Sequence, residues 1–194
     1  NDITFDLAGQ KWFCTYGGVS CFDGKTWTNY TKDNGFPGSS AYRGAFDLDG
    51  LGWFRLDTGL YSFDGETWIS YADSVQIYGD ATGEGEVSIM AIAVDRNNVK
   101  WFGSTHDGAL SYDGKTWRHH TMEDGLSGNH INCIVADHDN VVWFGMGFGN
   151  GTEQDGLSSF DGKTWKIHCT ESLWGAVNGI AVDSDNVKWI ATSA

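Results

Sequence analysis

Apolar residues in this chain gather in runs of about five or six, broken by turn residues, and nowhere keep the spacing of a helix face. The run Ile89-Met90-Ala91-Ile92-Ala93-Val94 is apolar at successive positions, the pattern of a strand covered on both faces. Asp95-Arg96-Asn97-Asn98 follows as a turn, Trp101-Phe102 marks a second strand, and Leu110-Ser111-Tyr112 marks a third. Asp113-Gly114 supplies the positive-φ positions of a tight hairpin, and a fourth strand runs from Thr116 to Thr121. These are strands A to D of one unit.

The unit recurs. Asp precedes Trp by six residues five times, at Asp6/Trp12, Asp47/Trp53, Asp95/Trp101, Asp137/Trp143 and Asp183/Trp189. The intervals between these Trp residues are 41, 48, 42 and 46. A second signature lies between them, Phe22-Asp23-Gly24-Lys25-Thr26-Trp27 and its equivalents ending at Trp68, Trp117 and Trp165. A repeat of this length with four strands predicts an all-β fold, a β-propeller of four-stranded blades with four complete repeats plus a fifth A–B hairpin. The repeats cover about 1–41, 42–86, 87–129, 130–176 and 177–194 of a single propeller domain or fragment. The register tryptophans, Trp27 and Trp117 among them, are expected to pack between blades, where truncation to Ala opens a cavity. The expected 18 strands leave the last hairpin without outer strands, and Asn1-Asp2-Ile3-Thr4, itself a strand A, cannot supply them. The open end is expected to belong to a larger propeller or to be covered by a second protein chain.

Asp124-Gly125-Leu126, Asp137, Trp143-Phe144-Gly145 and Gly156-Leu157-Ser158-Ser159-Phe160 resemble the two-component regulator propeller repeat. That resemblance extends in register along the whole chain and implies an extracellular or periplasmic bacterial propeller. Members of that family are often sensor domains of hybrid histidine kinases, in several cases with glycan-derived ligands. The family has no fixed ligand motif to carry over, and no kinase is present here to carry the signalling role. Ser62-Phe63-Asp64-Gly65-Glu66-Thr67-Trp68 is similar to the sialidase Asp-box with one residue deleted, a structural hairpin. Sialidase chemistry needs three clustered arginines, whereas Arg43, Arg55, Arg96 and Arg118 fall at unrelated repeat positions.

The net charge of −14 excludes nucleic acid as a partner, because phosphate binding rests on Lys and Arg. No apolar stretch approaches the roughly 20 residues of a membrane helix, so no membrane insertion is expected. An opening at Asn1 with no charged, apolar, small-residue leader reads as a processed chain or a piece of something longer.

Little in the sequence points to a reaction. The Asp of each A–B turn reads as an Asx-turn acceptor. A second carboxylate, as in Asp137/Asp139, falls short of the roughly six to eight oxygens of a calcium site. His120 and His168 fill the slot of Tyr30 and Tyr71 and so read as packing residues. No HExxH, nucleophile elbow or paired-Cys site occurs, and no catalytic residue, cofactor or metal is expected. Cys14 and Cys21, counted outward from Gly17-Gly18, face each other, which leaves both a disulfide and two buried thiols open. Cys133 and Cys169 should lie about 14 Å apart and not bond. Sequons occur at Asn29-Tyr30-Thr31 and Asn150-Gly151-Thr152.

Length variation singles out one face. The A–B and C–D turns keep constant length, whereas Ser74–Val87 and Gly147–Asp155 are insertions, one in a D–A loop and one in a B–C loop. In a four-stranded blade those loops emerge together, so they mark the expected binding face. Candidate ligand-binding residues there are Tyr78, Asp80, Glu84, His106, Phe148, Asn150, Glu153 and Trp174, the last outside both Trp registers. Aromatic, carboxylate and amide groups suit a glycan or other small ligand. The expectation is a non-enzymatic ligand-binding propeller, with a protein-interaction scaffold second and a carbohydrate-active enzyme third.

Overall fold

Every strand pairing in the protein is antiparallel and links neighbours in sequence, as the hairpin signatures require. The computed structural model describes residues 2–71, 89–147, 156–168 and 175–193. Strands β1 (Ile3–Phe5), β2 (Lys11–Thr15), β3 (Gly18–Phe22) and β4 (Trp27–Tyr30) form the first sheet. The second holds β5 (Ala41–Phe46), β6 (Gly52–Leu56), β7 (Gly59–Phe63) and β8 (Trp68–Ser70). Strands β9 (Ile89–Val94), β10 (Lys100–Ser104), β11 (Ala109–Tyr112) and β12 (Trp117–His120) make the third. The fourth is β13 (Ile131–Ala136), β14 (Val142–Met146), β15 (Gly156–Phe160) and β16 (Trp165–Ile167). A two-stranded hairpin follows, β17 (Val177–Val182) and β18 (Lys188–Thr192). Among the described residues the sole helical turn is a 3-10 turn at Lys32–Asn34. The chain forms two compact units, one carrying β1–β8 and the other β9–β18.

The Asp-to-Trp spacing has a direct physical cause. In all five repeats one carboxylate oxygen accepts two backbone N–H groups of the A–B turn, and the other accepts the indole N–H six residues on. For Asp47 the donors are the N–H groups of Asp49 and Leu51 at 3.0 Å each and Trp53 Nε1 at 3.1 Å. Asp95 does the same with Asn97, Val99 and Trp101 Nε1. The carboxylate closes the turn and fixes the indole's rotamer at once, which sets the interval at six.

Within each unit the B-strand Trp of the earlier blade faces the later blade, and the D-strand Trp of the later blade packs back onto the earlier one. In the first unit Trp12, 5 % exposed, meets Phe46, Phe54 and Phe63 of the second blade at ring separations of 5.1, 6.1 and 6.2 Å. Trp68 packs back onto Tyr30 and Phe36. In the second unit Trp101 meets Phe144 and Phe160, while Trp165 packs back onto His120. The expectation that Trp27 is a core residue is corrected here. It is the D-strand Trp of the first blade and is 55 % exposed, its packing limited to Phe13 and Phe22 of its own blade.

The slot shared by Tyr30, Tyr71, His120 and His168 is a packing slot. Each ring lies on its own blade's B-strand Trp, from 4.7 Å for His168 on Trp143 to 5.6 Å for Tyr30 on Trp12. Both imidazoles also hydrogen-bond a strand-C serine, His120 Nε2 to Ser111 Oγ at 2.9 Å and His168 Nε2 to Ser159 Oγ at 2.8 Å. Burial pushes both pKa values below the ordinary 6.5. The unfolded chain therefore binds protons just below that pH which the folded chain refuses, and stability falls as pH drops through this window. The double substitution His120→Tyr, His168→Tyr is expected to flatten the fall in urea midpoint between about pH 7.5 and about pH 5. An unchanged slope would assign it to other groups.

The cysteine register differs from the count made on the sequence. Thr15 pairs with Gly18, so the turn is Tyr16-Gly17, and Cys14 faces Val19 while Cys21 faces Trp12. Gly18 opens the strand opposite Thr15 and must be glycine there, because a Cβ would collide with the Tyr30 carbonyl oxygen. Cys14, Cys21 and Cys133 are free thiols. Burial, with Asp2 adding to it, pushes Cys14 up to about 12, and burial pushes Cys133 up to about 11, which makes both inert.

Candidate functional site

The inner strand A of four repeats carries the same irregularity at its D–A end. One extra residue interrupts the pairing with strand B, namely Tyr42, Met90, Asn132 and Asn178. A bulge re-aims a side chain where a strand meets a loop. Here the backbone device is constant while the residue is Tyr, Met, Asn and Asn in turn, so the repeats offer three kinds of side chain at an equivalent place.

In the first unit the bulged residue is the centre of a cluster. The Arg55 guanidinium lies 4.2 Å from the centre of the Tyr42 ring. Tyr16, from the B–C turn of the first blade, stands edge-on to Tyr42 at 6.3 Å and 86° and is 74 % exposed. Arg43 donates to the Tyr42 carbonyl at 3.1 Å and pairs directly across the sheet with Arg55. Two cations in register are unfavourable by themselves. Counting outward from the turn that joins Phe46 and Gly52 brings them face to face, a signal present in the sequence. The neighbouring D–A loop is fixed by Asp57, whose carboxylate accepts the N–H groups of Ser39 and Ser40 at 2.9 and 3.2 Å and also the Ser39 hydroxyl. Burial acts to raise the Asp57 pKa, but these donors outweigh it and hold the carboxyl below its usual value.

In the second unit the same face carries histidines. His130 Nδ1 hydrogen-bonds the Thr105 carbonyl at 2.7 Å, and His119 Nε2 reaches the Asp107 carbonyl, so strand D and the D–A loop clamp the B–C turn. Between them His106 is exposed, its Nδ1 2.9 Å from Thr105 Oγ1 and its ring 6.3 Å from that of His130. Asp107 Oδ2 is buried without a hydrogen-bond partner. Asn132 ties strands together, donating to the carbonyls of Gly147 and Val177 at 2.8 and 3.1 Å. Among the described residues no group of three or more His, Cys, Asp and Glu has metal-binding geometry.

Of the residues expected to bind ligand, His106 lies on the D–A/B–C face as the sequence predicts. Tyr78, Asp80, Glu84, Phe148, Asn150, Glu153 and Trp174 lie outside the described residues. Tyr16, Tyr42, Arg43 and Arg55 were missed.

The opposite face also has concavities. A cleft of about 210 Å³ between the third and fourth blades is lined by Asp95, Trp101, Asp113, Arg118, His120 and Asn140, among others. An equivalent one of about 240 Å³ in the first unit is lined by Asp6, Trp12, Tyr30 and Asp64. Both fall below the roughly 300 Å³ of a small ligand pocket. Their turn carboxylates already accept the turn's own N–H groups, for instance Asp113 from Lys115 and Thr116 at 2.9 and 2.8 Å. Their recurrence marks them as a product of blade packing.

Residues 125–148 match the model of the two component regulator propeller family, as the sequence resemblance implied. No curated protein matches the chain. Among solved structures, the extracellular domain of the putative one component system BT4673 from B. thetaiotaomicron is similar at a TM-score of 0.73 and 18 % identity, over 98 % of this chain and 28 % of that one. PorZ, a surface component of the type-IX secretion system of Porphyromonas gingivalis, gives 0.66 and 21 %, over 98 % and 31 %. Virginiamycin B lyase from Staphylococcus aureus gives 0.72 and 16 %, over 98 % and 62 %. The chain thus spans less than a third of the first two, and at these identities the likeness shows the fold, a β-propeller. No described helix is long and apolar enough to cross a membrane.

Proposed function

We propose, from the two component regulator propeller repeat at residues 125–148 as premise, that the chain is an extracytoplasmic, non-enzymatic propeller binding a glycan through its D–A/B–C face. The observation that carries this reading is the Tyr16–Tyr42–Arg55 cluster, an exposed Tyr16 beside a half-buried Tyr42 backed by a guanidinium, on the face where loop length varies. Aromatic rings cover the apolar face of a sugar, and an arginine supplies donors to its hydroxyl or carboxylate oxygens. The extracellular and surface propellers of similar fold support the location and the sensor-like class. Tyr78, Asp80, Glu84, Phe148, Asn150, Glu153 and Trp174 of the inserted and D–A loops, and His106, are proposed as further ligand-binding residues.

A glycan array followed by calorimetry on the strongest hit tests this. Tyr16→Ala is expected to weaken binding about tenfold, the worth of one stacked ring, with the melting temperature unchanged. Failure of any glycan to bind, or affinity indifferent to Tyr16 and Tyr42, would overturn the reading.

A further inference from the structure

The two clefts between blades share a plan and differ in charge. Each is lined by a B-strand Trp and a strand-C Phe, Trp12 and Phe63 in the first unit, Trp101 and Phe160 in the second. The residue after the D-strand Trp is Thr28 in the first blade and Arg118 in the third. Arg118 lines the second cleft, whereas no Lys, Arg or His stands among the described residues lining the first. The left-handed turn position that is Gly50 in the first cleft is Asn140 in the second. Its Oδ1 accepts the Arg96 N–H at 2.6 Å, so the amide N–H₂ is what Asn140 adds to the cleft. Blade packing accounts for a cavity that recurs, but not for a guanidinium added to one copy of it.

Three charges line this second cleft. Asp95 is buried and engaged by the N–H groups of Asn97 and Val99 and by the Trp101 indole. Asp113 is exposed, and the N–H groups of Thr116 and Lys115, with Arg118 adding to them, hold its carboxyl below the ordinary 3.8. Arg118 is also exposed, and among the described residues no ion pair joins it to Asp113. A guanidinium and a carboxylate that line one cleft without pairing suit a ligand carrying both opposite charges. A simple anion would meet the carboxylates there, and a simple cation would meet the guanidinium. The volume of about 210 Å³ falls short of a drug-sized ligand's site but has room for one free amino acid.

We infer that the cleft between the third and fourth blades is a second binding site, which takes a free α-amino acid with its carboxylate on Arg118 and its ammonium on Asp113. Val142, Trp101 and Phe160 line the same cleft and select a small apolar side chain. The Asn140 amide supplies a further donor to the carboxylate. The first unit's cleft, with Thr28 in place of Arg118 and Gly50 in place of Asn140, lacks both donors and does not bind such a ligand.

Titration calorimetry of the 194-residue chain with L-valine tests this, beside L-valinamide, which lacks the carboxylate, and isovalerate, which lacks the ammonium. L-valine is expected to saturate the protein at millimolar concentration or below, and each single-charge probe to bind about tenfold or more weakly. Arg118→Gln should weaken L-valine by about tenfold or more, the worth of a charge-assisted contact, with the melting temperature of the unliganded protein unchanged. Asp113→Asn keeps an oxygen for the Lys115 and Thr116 N–H groups and should weaken binding to a similar degree. Tyr16→Ala, on the other face, should leave L-valine binding unchanged, so this site and the glycan reading are tested separately. No saturation at millimolar L-valine overturns the inference. Equal binding of either single-charge probe, or indifference to Arg118→Gln, overturns it as well.

Discussion

Trp101→Ala is expected to cost about 3–5 kcal/mol, the range for removing a large aromatic side chain from a packed core. Trp101 is 3 % exposed and touches Phe144, Phe160 and His120, and none of these can close over the space it leaves without breaking its own stacking. Its loss also leaves Asp95 Oδ2 without the indole donor. Trp27→Ala, at the same kind of sequence signature as Trp68, should cost less than about 1 kcal/mol, because more than half of its surface is already exposed. Urea denaturation of both variants with an unchanged slope measures the contrast. Equal losses would mean that Trp27 packs as tightly as Trp101.

The second large effect is expected at Asp137, which is 2 % exposed. It accepts the N–H groups of Asp139 and Val141 and the indole of Trp143, all at 2.9 Å, and pairs with Lys188 of the last hairpin at 2.8 Å. Asp137→Ala strands these donors together and is expected to cost about 3–5 kcal/mol. Asp137→Asn should recover little, because the amide N–H₂ would then face the indole N–H and the ammonium, donor against donor. Burial acts to raise the Asp137 pKa, but the Lys188, Trp143 and Val141 donors outweigh it and hold it below 3.8. Its contribution is therefore present above that pH and lost as pH falls through the folded value. Thermal melts at neutral pH of the two variants, read beside Lys188→Met, separate the turn's share from the ion pair's. If Asn restored most of the loss, the charge would be dispensable.

How much of this was legible depended on how local the cause was. The blades were legible because each strand end is written in adjacent residues, as in Asp113-Gly114 and Asp95-Arg96-Asn97-Asn98. The Asp-to-Trp interval was visible as a period, but its cause joins a turn to a ring across three dimensions and was read only as a turn. The cysteine facing counted on the sequence was off by one step because Gly17-Gly18 looks like the turn, whereas Gly18 pairs with Thr15 and is glycine for its closeness to Tyr30, which is not written locally. Trp27 and Trp68 are indistinguishable in sequence, and contact with a neighbouring blade is what makes Trp68 half-buried where Trp27 is exposed. On the binding face, loop length singled out the side of the fold, whereas the Tyr42 bulge and the Arg43–Arg55 pairing needed register to appear.

The asparagines of the A–B turns bear on how the repeats stand or fall together. Asn98, Asn140 and Asn186 share a left-handed backbone near φ 62°, where the first two turns place Gly9 and Gly50. In the second unit the side chain reaches back one repeat: Asn140 Oδ1 accepts the Arg96 N–H at 2.6 Å, and Asn186 Oδ1 the His138 N–H at 3.0 Å. Stability in a linear array divides into terms owned by each repeat and terms shared by neighbours. The asparagine clasp belongs wholly to the shared kind, since it satisfies a donor in a turn other than its own. Glycine has no side chain to extend, so the A–B turns of the first unit lack this clasp, and its two blades are coupled by ring packing and by the Gly44 N–H donated to Asp2 Oδ2 at 3.2 Å. Damage to one turn of the second unit is thereby passed to the blade before it, a cooperativity written one residue at a time.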